Sequence, residues 1–168
     1  MKMIIRKETT DDVSAIETVT RQAFLNVQYS SHTEQFIVRA LREADALTIS
    51  LVAEIEQKVV GHVAVSPVRV SDGSSDWYGL GPISVMPDQQ KMGIGSQLMR
   101  TALDELQDIG ASACVLLGNP DYYQRFGFKP ASNLILSGVP ALYFQVLSFH
   151  GSMAQGEVTY HDAFNALE

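Results

Sequence analysis

The sequence predicts an α+β domain, with a mixed and mostly antiparallel central sheet and helices packed on both faces. Three features predict it. Two helical patterns come first and are followed by two β-rich runs joined by a short polar link, which marks an antiparallel hairpin. A further β-type run leads through two glycines into the longest helical pattern of the chain. The last third returns to β-rich segments with short turns.

MIIRK near the start has strand character. In TTDDVSAIETVTRQAF the apolar residues Val13, Ile16, Val19, Ala23 and Phe24 share one helical face, and Thr9 followed by Asp12 is a helix-start signal. TEQFIVRALREA repeats the pattern with Phe36, Ile37, Ala40, Leu41 and Ala44, after the turn-like SSH. LTISLVAEI and VVGHVAVSPVRV, linked by Glu56-Gln57-Lys58, form the hairpin. VSDGSSDW reads as a loop, and LGPISVMP as a strand that ends at Pro87. From Ile94 onward Leu98, Ala102, Leu106 and Ile109 recur at helical spacing until Gly110 ends the run. SACVLLG is a continuous apolar run, as expected of a strand buried on both faces. DYYQRF is a short helix stopped by Gly127, and NLILSGVPALYFQVLSF with GEVTY makes a β-rich tail. No repeat, low-complexity tract or composition break divides the chain, so residues 1–168 are expected to form one domain.

Composition narrows the function classes. With 46% apolar and 18% charged residues the chain belongs among soluble globular proteins rather than disordered ones. Twelve Lys and Arg against nineteen Asp and Glu give a net charge of -7, which lacks the basic footprint of a nucleic-acid binder and favours cationic or amine-bearing partners in a general way. The N-terminal MKMIIRKE has no long apolar core, and no run approaches the ~20 apolar residues that span a bilayer. The single cysteine, Cys114, can form no internal disulfide, so the expected compartment is the cytoplasm. Within ACVLL it reads as a small buried hydrophobe and receives no chemical role. His32, His150 and His161 show no metal-ligand spacing with any Cys or carboxylate cluster, and no metal is expected.

The stretch PDQQKMGIGSQL sets the chemistry. Glycines that follow a strand and open a helix leave backbone N–H groups bare at the positive end of the helix dipole, which suits an anion such as phosphate. A dinucleotide fingerprint would need a third glycine where Leu98 stands, and no Walker A string occurs. Residues 90–95, Gln90-Lys91-Met92-Gly93-Ile94-Gly95, instead match Gln/Arg-x-x-Gly-x-Gly/Ala, and further on Tyr123 to Phe128 match Tyr-x-x-Phe-Gly-Phe. In this order the two motifs resemble the GNAT superfamily of acyl-CoA-dependent N-acetyltransferases, over roughly residues 2 to 130. The β-rich tail resembles its YhbS-like subgroup.

The resemblance implies a fold, a cofactor motif at about 80–128 followed by the β-rich part 130–168, and a reaction. Acetyl-CoA would be the co-substrate, its pyrophosphate held by the Gln90, Lys91, Met92, Gly93, Ile94, Gly95 and Ser96 loop. The backbone of Ile83, Ser84 and Val85 would pair with the pantetheine amides, much as an added strand does. Tyr123 would be the acid that protonates the departing thiolate, with Tyr122 as the alternative one residue earlier. Many relatives carry an Asn at the position matching Leu116. Asn119 stands four residues before Tyr123, either as a substitute cofactor contact or as a turn-forming Asn before Pro120. The acceptor would be a small-molecule or peptide amine. No carboxylate declares itself as general base. Glu54 and His62 are the candidates, each with an ordinary structural explanation, while Trp77, Tyr78, Phe24 and Phe36 either line the acceptor side or pack in the core. The alternative to an enzyme is a non-catalytic acyl-CoA-binding sensor, which would bind acetyl-CoA and release no thiol. The apolar C-terminal strands have two outlets, a homodimer or this chain's own sheet.

Overall fold

The computed structural model describes residues 2–28, 30–151 and 153–168. The chain divides into two compact units. One comprises the residues up to Ser66, Gly81–Glu105 and Asp162–Glu168, and the other Pro67–Leu80 and Leu106–His161.

The first unit opens with β1 (Met3–Lys7), α1 (Val13–Phe24), α2 (Glu34–Glu43) and β2 (Ile49–Ile55), followed by β3 (Lys58–Val70) as far as Ser66. β1 pairs antiparallel with β2, Met3 opposite Ile55 and Lys7 opposite Leu51, and β2 pairs antiparallel with β3 across a bulge at Ala53 and Glu54. The hairpin is tighter than its sequence suggested. Lys58 already belongs to β3, and the turn is Glu56 and Gln57 alone, both at positive φ of 52° and 67°. That is the backbone twist a two-residue hairpin favours, built without the usual glycine or asparagine. The helix start at Thr9 is formed as expected, with the Thr9 N–H donating to the Asp12 carboxylate at 2.7 Å. The buried face of α2 differs from the expected one. Ile37, Val38 and Leu41 are buried, Phe36 is only half-buried, and Ala44 lies exposed at the C-cap where the helix has ended. Ile16, Val38, Val52 and Ala64 form one core cluster, and Ile37, Leu41, Ala46 and Ala163 another.

The end of β4 (Trp77–Val85) and most of α3 (Ile94–Asp108) complete this unit. β4 continues the sheet beside β3, with the Met86 N–H donating to the Val60 carbonyl at 2.8 Å. Leu98 and Ile94 pack over Gly61 of β3, which seats the start of α3 on the sheet.

The second unit holds β5 (Ala113–Leu117), α4 (Pro120–Tyr123), β6 (Lys129–Pro130), β7 (Leu134–Ile135), β8 (Phe144–Ser148) and β9 (Gly156–Tyr160), with the adjoining ends of β3 and β4. β4 begins at Trp77, three residues before its expected start, because Trp77–Gly79 join Ala113–Val115 in a parallel ladder that ends there. β5 runs antiparallel to β8, β6 to β8 and β9 to β3, while β7 and β9 are parallel, so the sheet is mixed and mostly antiparallel. The apolar tail strands are thus used within this chain's own sheet. Val68, Trp77, Val115, Phe144, Val146 and Val158 lie in one core cluster. Trp77 is therefore a core residue. In β5, Ala113 to Leu116 are buried, and the thiol of Cys114 is pushed well above its usual range by complete burial. Among the described residues no helix is long and apolar enough to cross a membrane.

Candidate functional site

In the first unit the chain leaves β4 at Val85, makes a 3-10 turn over Pro87–Gln89, and enters α3 at Ile94. The Gln90 side-chain amide donates to the Val85 carbonyl at 3.0 Å, which ties the loop back to the strand that precedes it. Lys91 and Gly93 both stand at positive φ, 66° and 83°. Only glycine adopts this conformation without strain, so the backbone itself calls for Gly93. A Cβ added at Gly93 would meet no atom within 4 Å, and one at Gly95 would meet only Val85 Cγ2 at 3.8 Å. The space above both glycines is open. The first ring of α3 closes from the Gln97 N–H to the Gly93 carbonyl at 3.1 Å, so the amides of Ile94 and Gly95 precede the helical ladder at its positive end. Lys91, the one basic residue of the loop, is exposed, as are Gln90 and Met92.

These features fit a pyrophosphate. Bare amides, a dipole end and a flexible ammonium supply donors and positive charge, and the missing side chains leave room for close approach. Ile94 is buried and anchors the loop, so only its amide faces this task. Ser84 is likewise buried, and its hydroxyl finds no partner among the described residues, which leaves its backbone as the part suited to pairing.

The second unit holds the other half of the expected residues. Gly118, Asn119 and Pro120 turn the chain from β5 into α4. Asn119 caps that helix. Its Oδ1 accepts from the Asp121 N–H at 2.9 Å, and its carbonyl accepts from the N–H groups of Tyr122 and Tyr123 at 3.1 Å. Of the two readings of Asn119, this geometry favours the turn-forming one. The Tyr123 ring lies edge-on to Tyr122, centroids 4.9 Å apart, and 6.4 Å from Phe128. Burial, with a smaller contribution from Tyr122, pushes the Tyr123 phenol above its ordinary value, so it holds its proton firmly at neutral pH. Its hydroxyl makes no hydrogen bond to another described residue. Tyr122 is placed differently, beneath the Arg125 guanidinium at 4.3 Å from the ring centroid. Gly127, at φ 97°, ends the turn as expected.

The two candidate bases are both engaged. Glu54 accepts from Arg6 Nε at 3.2 Å, and the same guanidinium holds Asp12 at 2.7 and 3.0 Å. His62 is fully buried, with Nε2 2.8 Å from Ser50 Oγ. Ser50 donates to Glu8, whose carboxylate accepts two N–H groups of Arg42 at 2.9 Å each. Because the Ser50 proton goes to the carboxylate, its oxygen accepts from His62 Nε2–H, and Nδ1 is the bare nitrogen. No local pattern reveals this network, whose members come from three separate elements and from the residue that follows β1.

The network predicts a pH dependence of stability. Burial lowers the His62 pKa to about 4 from 6.5, Glu8 opposing the shift and Arg42 adding to it. The unfolded chain binds a proton near 6.5 that the folded chain refuses until about 4, so stability falls as pH falls between these values. The slope from this one group is at most about 1.4 kcal/mol per pH unit. Denaturant midpoints measured across that window should drop more steeply for the parent than for His62→Gln; parallel slopes would reverse the assignment.

A mixed sheet, a glycine loop at a helix start and, in the second unit, a half-buried tyrosine that holds its proton are the features expected of a group-transfer protein for a pyrophosphate-bearing co-substrate. The model of the "Acetyltransferase (GNAT) family" matches residues 13–128. The chain is 36% identical to the N-acetyltransferase YhbS of Escherichia coli K12 over 97% of its own length and 99% of that protein. A GNAT family acetyltransferase from Brucella melitensis, solved in complex with acetyl-CoA, superposes with a TM-score of 0.87 at 49% identity, over 97% of this chain and 98% of that one. The Escherichia coli YhbS structure, solved with CoA, gives 0.89 at 33%, over 100% and 94%. The chain belongs to the GNAT family and is an acetyltransferase.

Proposed function

We propose that this protein transfers the acetyl group of acetyl-CoA to a primary amine by direct attack of the amine on the thioester. The observation that carries the proposal is the loop into α3, where Gly93 and Gly95 leave two helix-start amides open to a pyrophosphate. Gln90, Lys91, Met92, Gly93, Ile94, Gly95 and Ser96 form the cradle. The backbone of Ile83, Ser84 and Val85, beyond the end of the ladder to β5, offers hydrogen-bonding groups to the pantetheine arm.

In the transfer an N–C bond forms, the C–S bond breaks, the amine loses a proton and the thiolate gains one. Tyr123 supplies the last proton, since a phenol that stays protonated above the range of a thiol can donate to the departing sulfur. No acyl-enzyme is required. Cys114, the one thiol, is completely buried and held in its protonated form, which supports the direct route. The cytoplasm is the matching compartment, because a lone buried thiol needs no oxidising environment.

Thiol release from acetyl-CoA, followed against a panel of small amines, polyamines and peptides, tests the proposal. Amine-dependent release is expected for at least one class. Tight binding of acetyl-CoA without release of thiol to any acceptor would show a sensor instead.

A further inference from the structure

We infer that Gly118 and Gln145 are positioning residues that hold the Tyr123 ring in the one orientation open to it, an inference that takes its catalytic meaning from the reading of Tyr123 as the acid. Gly118 directly follows β5, and both of its backbone groups are held. Its N–H donates to the Tyr143 carbonyl at 3.0 Å, and its carbonyl accepts from Gln145 Nε2 at 2.7 Å. The flanking peptides are therefore fixed in orientation from the β8 side.

Gln145 is an expensive way to fill that position. It is fully buried in β8, opposite Leu116 of β5 and Pro130 of β6, and its Oε1 finds no partner among the described residues. A buried acceptor without a donor destabilises the fold, so leucine would serve better if packing were the only requirement. What glutamine adds is the bond to Gly118.

Gly118 in turn is the floor beneath Tyr123. A Cβ there would lie 2.2 Å from Cε2 of the tyrosine ring, 2.8 Å from Cδ2 and 3.2 Å from Cζ. Its φ is not among the positive ones, so the ring and not the backbone excludes a side chain. Tyr122, Phe126 and Phe128 border the ring elsewhere, at centroid distances of 4.9, 6.4 and 6.4 Å. The Tyr123 N–H is fixed as well, on the Asn119 carbonyl. The path from Gln145 through the Gly118 carbonyl to the ring places the phenol oxygen, and any methyl at position 118 levers it away.

The test needs no knowledge of the acceptor. Titration of the Tyr123 phenol, followed by NMR of the ring carbon that bears oxygen, should show its pKa falling toward the ordinary tyrosine value in Gly118→Ala, because the ring leaves its buried seat. Gln145→Leu, which keeps the apolar packing and removes only the donor, should move it the same way by less, and it stands in if Gly118→Ala fails to fold. Calorimetry should find acetyl-CoA affinity within about twofold of the parent in both. With the most active amine of the panel, Gly118→Ala should lower turnover about tenfold in the parent and add no loss in a Tyr123→Phe background. An unmoved phenol pKa, or the same loss of turnover in both backgrounds, overturns the inference. If Tyr123→Phe itself keeps full turnover, the acid assignment fails separately, and the phenol titration still decides whether Gly118 and Gln145 place the ring.

Discussion

Gly95→Val is expected to weaken acetyl-CoA binding about tenfold or more while the protein still folds, a loss of about 1.4 kcal/mol in binding free energy. The structure makes this substitution a clean probe. Gly95 lies in the first turn of α3 with φ outside the left-handed region, and an added Cβ would meet only Val85 Cγ2 at an ordinary 3.8 Å. Valine is a better helix former than glycine, so the folded state loses little, and alanine, which the motif also admits at this position, is the control expected to bind as the parent does. Any lost affinity must then come from the ligand side, where a branched side chain stands between the pyrophosphate oxygens and the amides of the first turn. Gly93→Val should lose more, yet it mixes two causes, because at φ 83° a branched side chain strains the loop before any ligand arrives. Calorimetric titration with acetyl-CoA, paired with a thermal melt, separates the effects. A well-folded Gly95→Val that binds acetyl-CoA as tightly as the parent would remove the anion-loop reading.

The elements that position this loop were legible because they rest on local pattern. The recurrence of Leu98, Ala102 and Leu106 marked α3, and the glycines before it carried their own conformational meaning. What stayed hidden depends on partners far along the chain. Glu56 and Gln57 make a two-residue turn with residues that carry no turn signal, and pairing of β2 with β3 imposes their positive φ. Trp77 reads as the end of a polar loop until its ladder with Ala113 makes it strand and core. Ala44 sits on the apolar stripe of α2, but the helix stops one residue earlier. At the candidate site, the order Gly-x-Gly then Tyr-x-x-Phe-Gly-Phe was readable, while Gly118 looked like a mere linker before Asn119-Pro120. Its role appears only when α4 folds the Tyr123 ring back upon it and Gln145, 27 residues away, takes its carbonyl.

Tyr123→Phe is expected to lower turnover by about 10²-fold or more, the usual range for a positioned acid, while leaving acetyl-CoA affinity nearly unchanged. Phenylalanine keeps the ring that packs on Gly118, Tyr122 and Phe128, and removes only a hydroxyl that holds no other described residue. Neither fold nor cofactor binding should suffer. A kcat loss with intact binding is the mark of a group that acts as the C–S bond breaks, whereas a packing role would change stability first. The pH profile adds a second signature. Since burial raises the Tyr123 phenol above its ordinary value, the parent should keep its rate to higher pH than an exposed tyrosine would allow, and the fall beyond that point should vanish from the residual activity of the variant. Tyr122→Phe is the control, its ring lying under Arg125 in a different setting. If Tyr122→Phe loses turnover and Tyr123→Phe keeps it, the acid is one residue earlier; if both keep it, the departing thiolate takes its proton from solvent and the two tyrosines serve only to pack.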